Sequence, residues 1–574
     1  MSISNKRMNK NISSMKRFKT YILIAGMLTF LSACMEDRLL DQEPKGRLSD
    51  DVLKTSITAA EEAVFGVYGD RNPTRDDALW GRDLWALKSV ASPYIESTTF
   101  STIDLHSLTS SNSAVTNVWQ RGYIIHNRAS VVIESLHQLE NEEVDDMGFV
   151  KKERLEGEVK FLRALMDYHL VKAFGNVPLP DKPLTYIEAE EIEQMSQEDG
   201  WDFIIQDLQF AADHLPTKSQ YPPNELGRAT SGAALTLLTK VYLNAGMFTE
   251  AMQTANEVIT SGEYSLTTNQ FGDWDGYYEI FRMRQENGPG SIFEWQQAVA
   301  SDHLMTDFFS RNMTPIDMTL LSDQSTDLYD TVGYNGSDPI LVKDTLTWGD
   351  KIQLPADQKS ISNWQEGTQV LFPSQYLLQQ FTSQANPDPR QFISVLEDGG
   401  FYPDYGVIWG ESALSGLAFG KYIGTMEEKE NNILFGWWWG ENIPVLRYAD
   451  LLLMYAEAAA LANTDLGGAV NMINLVRARA SNSDFPIDPR PTVGLTQDQV
   501  LDWVRTERIL ELSTEGYDFF DLQRYAQHHP GWNWMDEMQF DERGGDFFDP
   551  GVHDLFPIPQ REMDLGNYIQ NPGY

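Results

Sequence analysis

Residues 231–264, SGAALTLLTKVYLNAGMFTEAMQTANEVITSGEY, limit the fold more than any other stretch of the 574-residue chain. Leu238, Tyr242 and Ala245 recur on one helical face, Gly246 interrupts the chain, and Ala251, Ala255 and Val258 begin a second face of the same kind. Two short helices with small residues where they meet form a tetratricopeptide-like hairpin, a unit that buries its apolar face only by stacking on neighbours. The rest of the chain should therefore supply more helix pairs.

It does so in two blocks. In the first, periodicity predicts helices over 57–68, 118–139, 155–174 and 201–215, the third ending at Gly175 and the fourth at Pro216. The second block opens at Pro444, a residue suited to a helix start, with Val445, Ala449, Leu452, Ala456 and Ala459 as its buried stripe. Residues 469–480 give it a partner through Val470, Ile473 and Val476. Thr496 and Gln499 then read as a capping box ahead of Val500, Val504 and Leu512. The reading is mainly α, with six or more helices packed as antiparallel pairs from both ends of the chain building one right-handed spine.

Between the blocks, residues 263–443 are rich in Gly, Pro, Asn and Asp and hold eight of the fifteen tryptophans. A long, loop-rich segment inside a compact protein is usually functional. Short strands and helices draped on the spine are expected there.

The chain begins with Lys6, Arg7, Lys10, Lys16, Arg17 and Lys19 and no acid before Cys34, followed by an apolar run too short to span a membrane. The expectation is a signal peptide over 1–33. Leu31-Ser32-Ala33-Cys34 resembles a bacterial lipobox, in which the cysteine becomes the first residue and carries lipid. Cys34 is the only cysteine, so a disulfide within the chain is excluded. The net charge of −40, more negative still without the leader, disfavours nucleic acid and anionic lipid surfaces as partners. Lipid chains would then supply the attachment.

Several stretches together carry a family resemblance: EVKFLRALMDYHLVKAFGNVPL from Glu158, LGRATSGAALTLLTKVYLNAG from Leu226, NPDPR from Asn386, IPVLRYADLLLMYAEAAA, INLVRARA, VRTERILELSTEGYDFFDLQRY and the terminal FPIPQREMDLGNYIQNPGY. Their order and spacing resemble the SusD/RagB outer-membrane lipoproteins of the Bacteroidetes over essentially the whole length after Cys34. Tyr517-Asp518 and Tyr525 depart from the usual family residues. The resemblance implies a SusD-like fold in which about four tetratricopeptide-like helix pairs form the spine, with a helical region over 34–262, a variable, candidate ligand-binding region over 263–443 and a C-terminal helical region over 444–574. It implies an outer-membrane, lipid-anchored protein facing the cell exterior, and Glu36-Asp37 resemble the acidic tag that accompanies such display. It also implies a SusC-like TonB-dependent barrel as partner and an oligosaccharide or polysaccharide as ligand, bound without catalysis. A lipid-anchored glycan-degrading enzyme and a RagB-like peptide binder are the alternatives.

No HExxH zinc pattern or GxSxG elbow is present, GLAFGK at Gly416 falls short of a phosphate loop, and GDWDG carries only part of a calcium loop, so no catalytic residue, metal or cofactor is assigned. Arg477, Arg479, Arg505, Glu507, Arg508 and Glu511 sit at helical spacings and read as ion pairs holding hairpins in register. Trp119 and Tyr123, one turn apart, read as packing.

Sugar rings present flat C–H faces edged by hydroxyls, so a glycan site needs aromatic platforms flanked by Asp, Asn, Gln or Arg. Two kinds of segment offer this: Asp76, Trp80, Arg82 and Trp85 after the first helix, and Trp274, Tyr277, Tyr278, Trp348 and Trp364 in the middle region. Trp80 and Trp85 are five apart around Gly81, so at least one should be exposed. Trp437 to Trp439 form a further aromatic candidate.

Overall fold

The computed structural model describes residues 50–69, 82–268, 276–282, 285–296, 371–384, 386, 388–397, 415–422, 442–481 and 485–574, together with short strands at 298–299, 304–305, 317–319, 331–335, 338–341, 401–402 and 406–409. Its longer helices are α1 (Ile57–Tyr68), α2 (Leu84–Ser89), α3 (Ser113–Gln138), α4 (Lys151–Phe174), α5 (Gln197–His214), α6 (Ser231–Asn244), α7 (Phe248–Ser261), α8 (Tyr448–Leu461), α9 (Leu466–Ala480), α10 (Gln497–Leu512) and α11 (Asp518–His528). None of the described helices is long and apolar enough to cross a membrane.

Side chains fix where these helices start. Ser56, Asn112, Ser196, Thr230 and Thr496 each accept a hydrogen bond from a backbone N–H of the first turn, satisfying a donor that the helix itself cannot. Thr496 accepts from Gln499 N–H, the first half of the expected capping box. Between α6 and α7 the chain turns at Gly246 (φ +77°), a left-handed conformation costly for a residue with a Cβ. Ala251, Ala255 and Val258 are buried, as the hairpin reading requires.

Each helix from α3 to α7 packs on the next, and α7 then packs on α8, which meets both α9 and α10. The stack thus passes directly from residue 261 to residue 448, and the described chain just before residue 448 rejoins it. It returns as a strand: β1 (Ser291–Trp295) pairs antiparallel with β2 (Ile443–Arg447), Trp295 opposite Ile443 and Glu294 opposite Pro444. This corrects the expected helix start at Pro444. The residues 443–447 extend along β1, the ladder is irregular just after the proline, which has no N–H to contribute, and α8 begins only at Tyr448. Ala449, Leu452, Ala456 and Ala459 remain buried as expected, whereas Val445 belongs to the strand.

The charged motif of the C-terminal block is interior. Glu511 receives Arg390 Nη1 at 3.3 Å and Arg447 Nη1 at 3.1 Å and also pairs with Arg479. Glu507 joins Arg390 (2.7 Å) to Arg477 (3.0 Å), linking α9 and α10. Arg508 bridges Asp450 of α8 (2.8 Å) and Asp521 of α11 (2.7 Å). These residues hold helices in register as expected, but by buried, multiply paired contacts rather than surface ones. Arg505 is the peripheral member, paired with Asp502 on its own helix. Lys421, the last residue of GLAFGK, is likewise structural: its Nζ donates to Glu511 O, Ser513 O and Glu515 Oε1, and burial pulls its pKa down to about 8 against the pull of Glu515.

Candidate functional site

Among the residues expected to bind ligand, Asp76, Trp80, Trp274, Trp348 and Trp364 lie outside the described residues, as do Cys34 and Trp437 to Trp439. Arg82 is partly exposed, its side chain at 41%, with its guanidinium 5.5 Å from the Phe100 ring. Trp85 is buried (3% exposed), edge-on to Phe419 at 6.2 Å, in a helix that packs on α11. Gly516 (φ +74°) fits against the indole so closely that a Cβ there would lie 3.0 Å from it. Tyr277 is fully buried, its hydroxyl donating to Glu511 O (3.1 Å) and meeting Ser394 Oγ at 2.9 Å. Tyr278 is buried beneath the Arg282 guanidinium, 4.5 Å from the ring centroid. In this structure Trp85, Tyr277 and Tyr278 thus form core rather than open platforms. Trp119 also packs as expected, 3% exposed and 5.0 Å from the Tyr123 ring.

The structure places an aromatic groove elsewhere, between the end of α1, the loop before α6 and the end of β1. Phe65, Tyr68, Gly69, Asn224, Glu225, Leu226, Gly227, Arg228, Phe293, Glu294, Trp295 and Gln296 line a cavity of about 320 Å³, the size range of small-molecule sites. Phe65 stands on the outer side of α1, 49% exposed, and Leu226 is 40% exposed. Apolar groups this open beside polar ones favour a ligand with one apolar face.

A buried ion cluster fixes one wall. Arg228 donates to both oxygens of Glu158, through Nε (3.0 Å) and Nη2 (2.8 Å), and its Nη1 lies 3.4 Å from Glu61. Burial would lower the Arg228 pKa, but Glu158 outweighs that and holds it above the ordinary range. Tyr68 donates to Glu158 Oε2 (2.9 Å) and accepts Ala229 N–H (2.8 Å), so the loop before α6 is tied to α1. The same guanidinium sits 4.8 Å from the Phe65 ring centroid and holds that ring in place.

Amides fix the other wall. Asn287 and Gln296 exchange side-chain hydrogen bonds of 3.0 Å each, and Asn442 Nδ2 donates to Gln296 Oε1 (3.1 Å) and to Glu294 Oε2 (2.9 Å). Gly227 (φ +102°) joins the two walls: a Cβ there would fall 2.6 Å from Gln296 Cδ, so only glycine lets the loop approach this closely. Sequence reasoning missed this site: Leu226-Gly227-Arg228 entered only as the start of a stretch that carries the family resemblance. Phe65 was hidden because α1 reads as an ordinary apolar helix.

With this geometry in hand, comparison with known proteins is decisive for the family. The SusD family profile matches residues 416–574, and a second, described as starch-binding and associating with the outer membrane, matches residues 73–243. The chain belongs to the SusD family. A curated relative, SusD-like protein P2 of Formosa agariphila, is 23% identical over 98% of this chain and 100% of its own length. A SusD-like protein of Bacteroides ovatus is 22% identical over 89% of this chain and 83% of its own. Among solved structures, a laminarin-binding SusD-like protein superposes with a TM-score of 0.66 at 22% identity, covering 90% of this chain and 99% of that one. A SusD-like carbohydrate-binding protein of Bacteroides fragilis gives 0.66 at 20% identity, again covering 90% and 99%. The mainly α fold is thus that of SusD-like proteins. Of the groove, residues 224–228 fall in a matched segment, whereas Phe65 and residues 293–296 fall outside both.

Proposed function

We propose that this chain is a cell-surface glycan-binding lipoprotein that gathers oligosaccharide or polysaccharide and delivers it to a SusC-like TonB-dependent transporter, without catalysis. The observation that carries the binding step is the groove: an exposed phenyl ring held by a guanidinium, a tryptophan at the far end, and amide and carboxylate groups between them. A pyranose can lay its C–H face on Phe65 while its hydroxyls reach Asn224, Glu225 and Gln296. The printed names of two structural neighbours, one binding laminarin and one carbohydrate, support the same ligand class. The lipobox-like Leu31-Ser32-Ala33-Cys34 and the outer-membrane association in one family description support the location. The segments bearing Asp76, Trp80, Trp274, Trp348 and Trp364 are proposed to extend the binding face, since residues 70 and 297 follow the groove-lining Gly69 and Gln296 in sequence.

Affinity electrophoresis against a panel of neutral polysaccharides, with a reducing-end assay on the same samples, tests the proposal. Retardation without new reducing ends is expected; release of reducing ends would replace it with the enzymatic reading. For delivery, mild detergent extraction should recover a much larger TonB-dependent barrel with the protein, and consistent recovery of the chain alone would overturn that step.

A further inference from the structure

Positive and negative charges are unequally engaged around the groove. Arg228 is the one cation among the described residues lining the cavity, and it is already held by both oxygens of Glu158 and approached by Glu61. The next cation along the same wall, Lys218, donates to Gly288 O (2.6 Å) and Ser291 O (2.8 Å). The acids are placed differently. Glu225 lines the groove with its side chain 33% exposed and its buried Oε2 3.5 Å from Arg228, so that three carboxylates, those of Glu158, Glu61 and Glu225, surround one guanidinium. Glu294 adds a second carboxylate to the lining, contacted by neutral amides from Asn287 and Asn442.

We propose that the groove between Phe65 and Trp295 selects uncharged sugar residues and excludes uronic acids and sulfated sugars. This rests on the glycan-binding reading and deepens it. A neutral pyranose brings hydroxyl donors, which a carboxylate such as Glu225 accepts strongly. A uronate or sulfate brings an anion to a wall whose cations are engaged and whose remaining charge is negative, and like charges disfavour the complex. The acidity of the whole chain, net −40, adds to the repulsion at long range.

The test measures the leaderless chain by calorimetry against two panels of equal length: neutral hexaoses (β-1,3-glucan, α-1,4-glucan, β-1,4-mannan) and hexauronates (alginate, polygalacturonate). Some neutral hexaose should bind about tenfold or more tighter than every hexauronate at low salt. Raising salt from about 0.02 M to about 0.5 M, where the Debye length falls to a few ångströms, should narrow that ratio by improving hexauronate binding. Glu225→Gln should narrow it in the same direction by several-fold. A hexauronate that binds as tightly as the best neutral hexaose, and loses affinity with Phe65→Ala, overturns the charge selection and leaves glycan binding standing. Failure of both panels to bind overturns the two together.

Discussion

Two ion clusters in this molecule are built from the same residue types, arginine and glutamate, and differ in what surrounds them. Around Glu511 the charges are covered on all sides: Arg390, Arg447 and Arg479 converge on one carboxylate, Glu507 and Glu515 bind the outer edges of Arg390 and Arg447, and the Arg479 guanidinium lies 5.3 Å from the ring of the buried Tyr277. Around Glu158, Arg228 is equally well held on one side, but its other side lies against Phe65, which is half exposed. The first cluster is closed and joins helices. The second is anchored at the back and open at the front, the arrangement needed to hold a binding surface rigid. An arginine–glutamate motif in the sequence does not say which it will be; the neighbour that covers the guanidinium does.

The largest effect should come from opening the closed cluster. Glu511→Gln leaves three arginines short of a buried partner, and removing one member of a buried pair costs about 3–5 kcal/mol. Chemical denaturation should show that loss, with glycan affinity of the surviving folded fraction unchanged. Trp85→Ala comes next, at about 3 kcal/mol or more, because it empties a site where the indole packs against Gly516 and Phe419. A stable Trp85→Ala variant with lost binding would restore Trp85 as a platform and break the comparison.

Acid should act on the closed cluster first. Burial alone would raise the Glu511 pKa from its ordinary 4.5, but Arg479, Arg447 and Arg390 outweigh it and hold the group at about 2. A depressed carboxylate stabilises the fold above pH 4.5, and that contribution is lost as pH falls from there toward about 2. Asp518 runs the opposite way: burial raises it from 3.8 to about 7, so its contribution is full below 3.8 and fades as pH rises through about 7. Unfolding midpoints should therefore improve modestly from pH 7 to about 5 and fall below about 4.5, with a shallower fall in Glu511→Gln.

At the open cluster the effect should move from stability to binding. Phe65→Ala removes an exposed ring, so stability should change by about 1 kcal/mol at most, the size of its contact with Arg228. Loss of an aromatic platform costs about 1–3 kcal/mol by analogy with base stacking, or about tenfold in affinity. Calorimetry against the best neutral hexaose reads this directly.

The sequence revealed the spine because a buried helix writes its stripe locally, and α6, α7 and α8 could be traced from a few small or apolar residues each. Pro444 misled because proline suits both a helix start and an interrupted strand, and only the pairing with residues 291–295 decides between them. Trp85 reads as a platform because Asp76 and Arg82 stand just before it in the chain, yet it packs in a helix against α11, more than four hundred residues away. The groove was illegible for the same reason. Its walls come from residues near 65, 226 and 295, brought together by the Arg228–Glu158 pair and the β1–β2 ladder, and no local pattern records either.

Glu61 offers the finest cut between the two clusters. It is partly exposed, pairs with Lys151 at 2.8 Å, and reaches Arg228 at 3.4 Å from the solvent side. Burial would raise its pKa, but Lys151 and then Arg228 hold it below the ordinary value, so it carries a full charge at neutral pH. Were the Glu158 cluster as closed as that of Glu511, Glu61→Gln would cost several kcal/mol. Because Arg228 keeps its two-oxygen contact with Glu158 and the lost pair faces water, the expected cost is about 0.5–1 kcal/mol. The guanidinium over Phe65 should then keep its place, and affinity for a neutral hexaose should fall by no more than about threefold. A loss of stability matching that of Glu511→Gln would show that the groove wall is core, and that its openness to ligand had been misjudged.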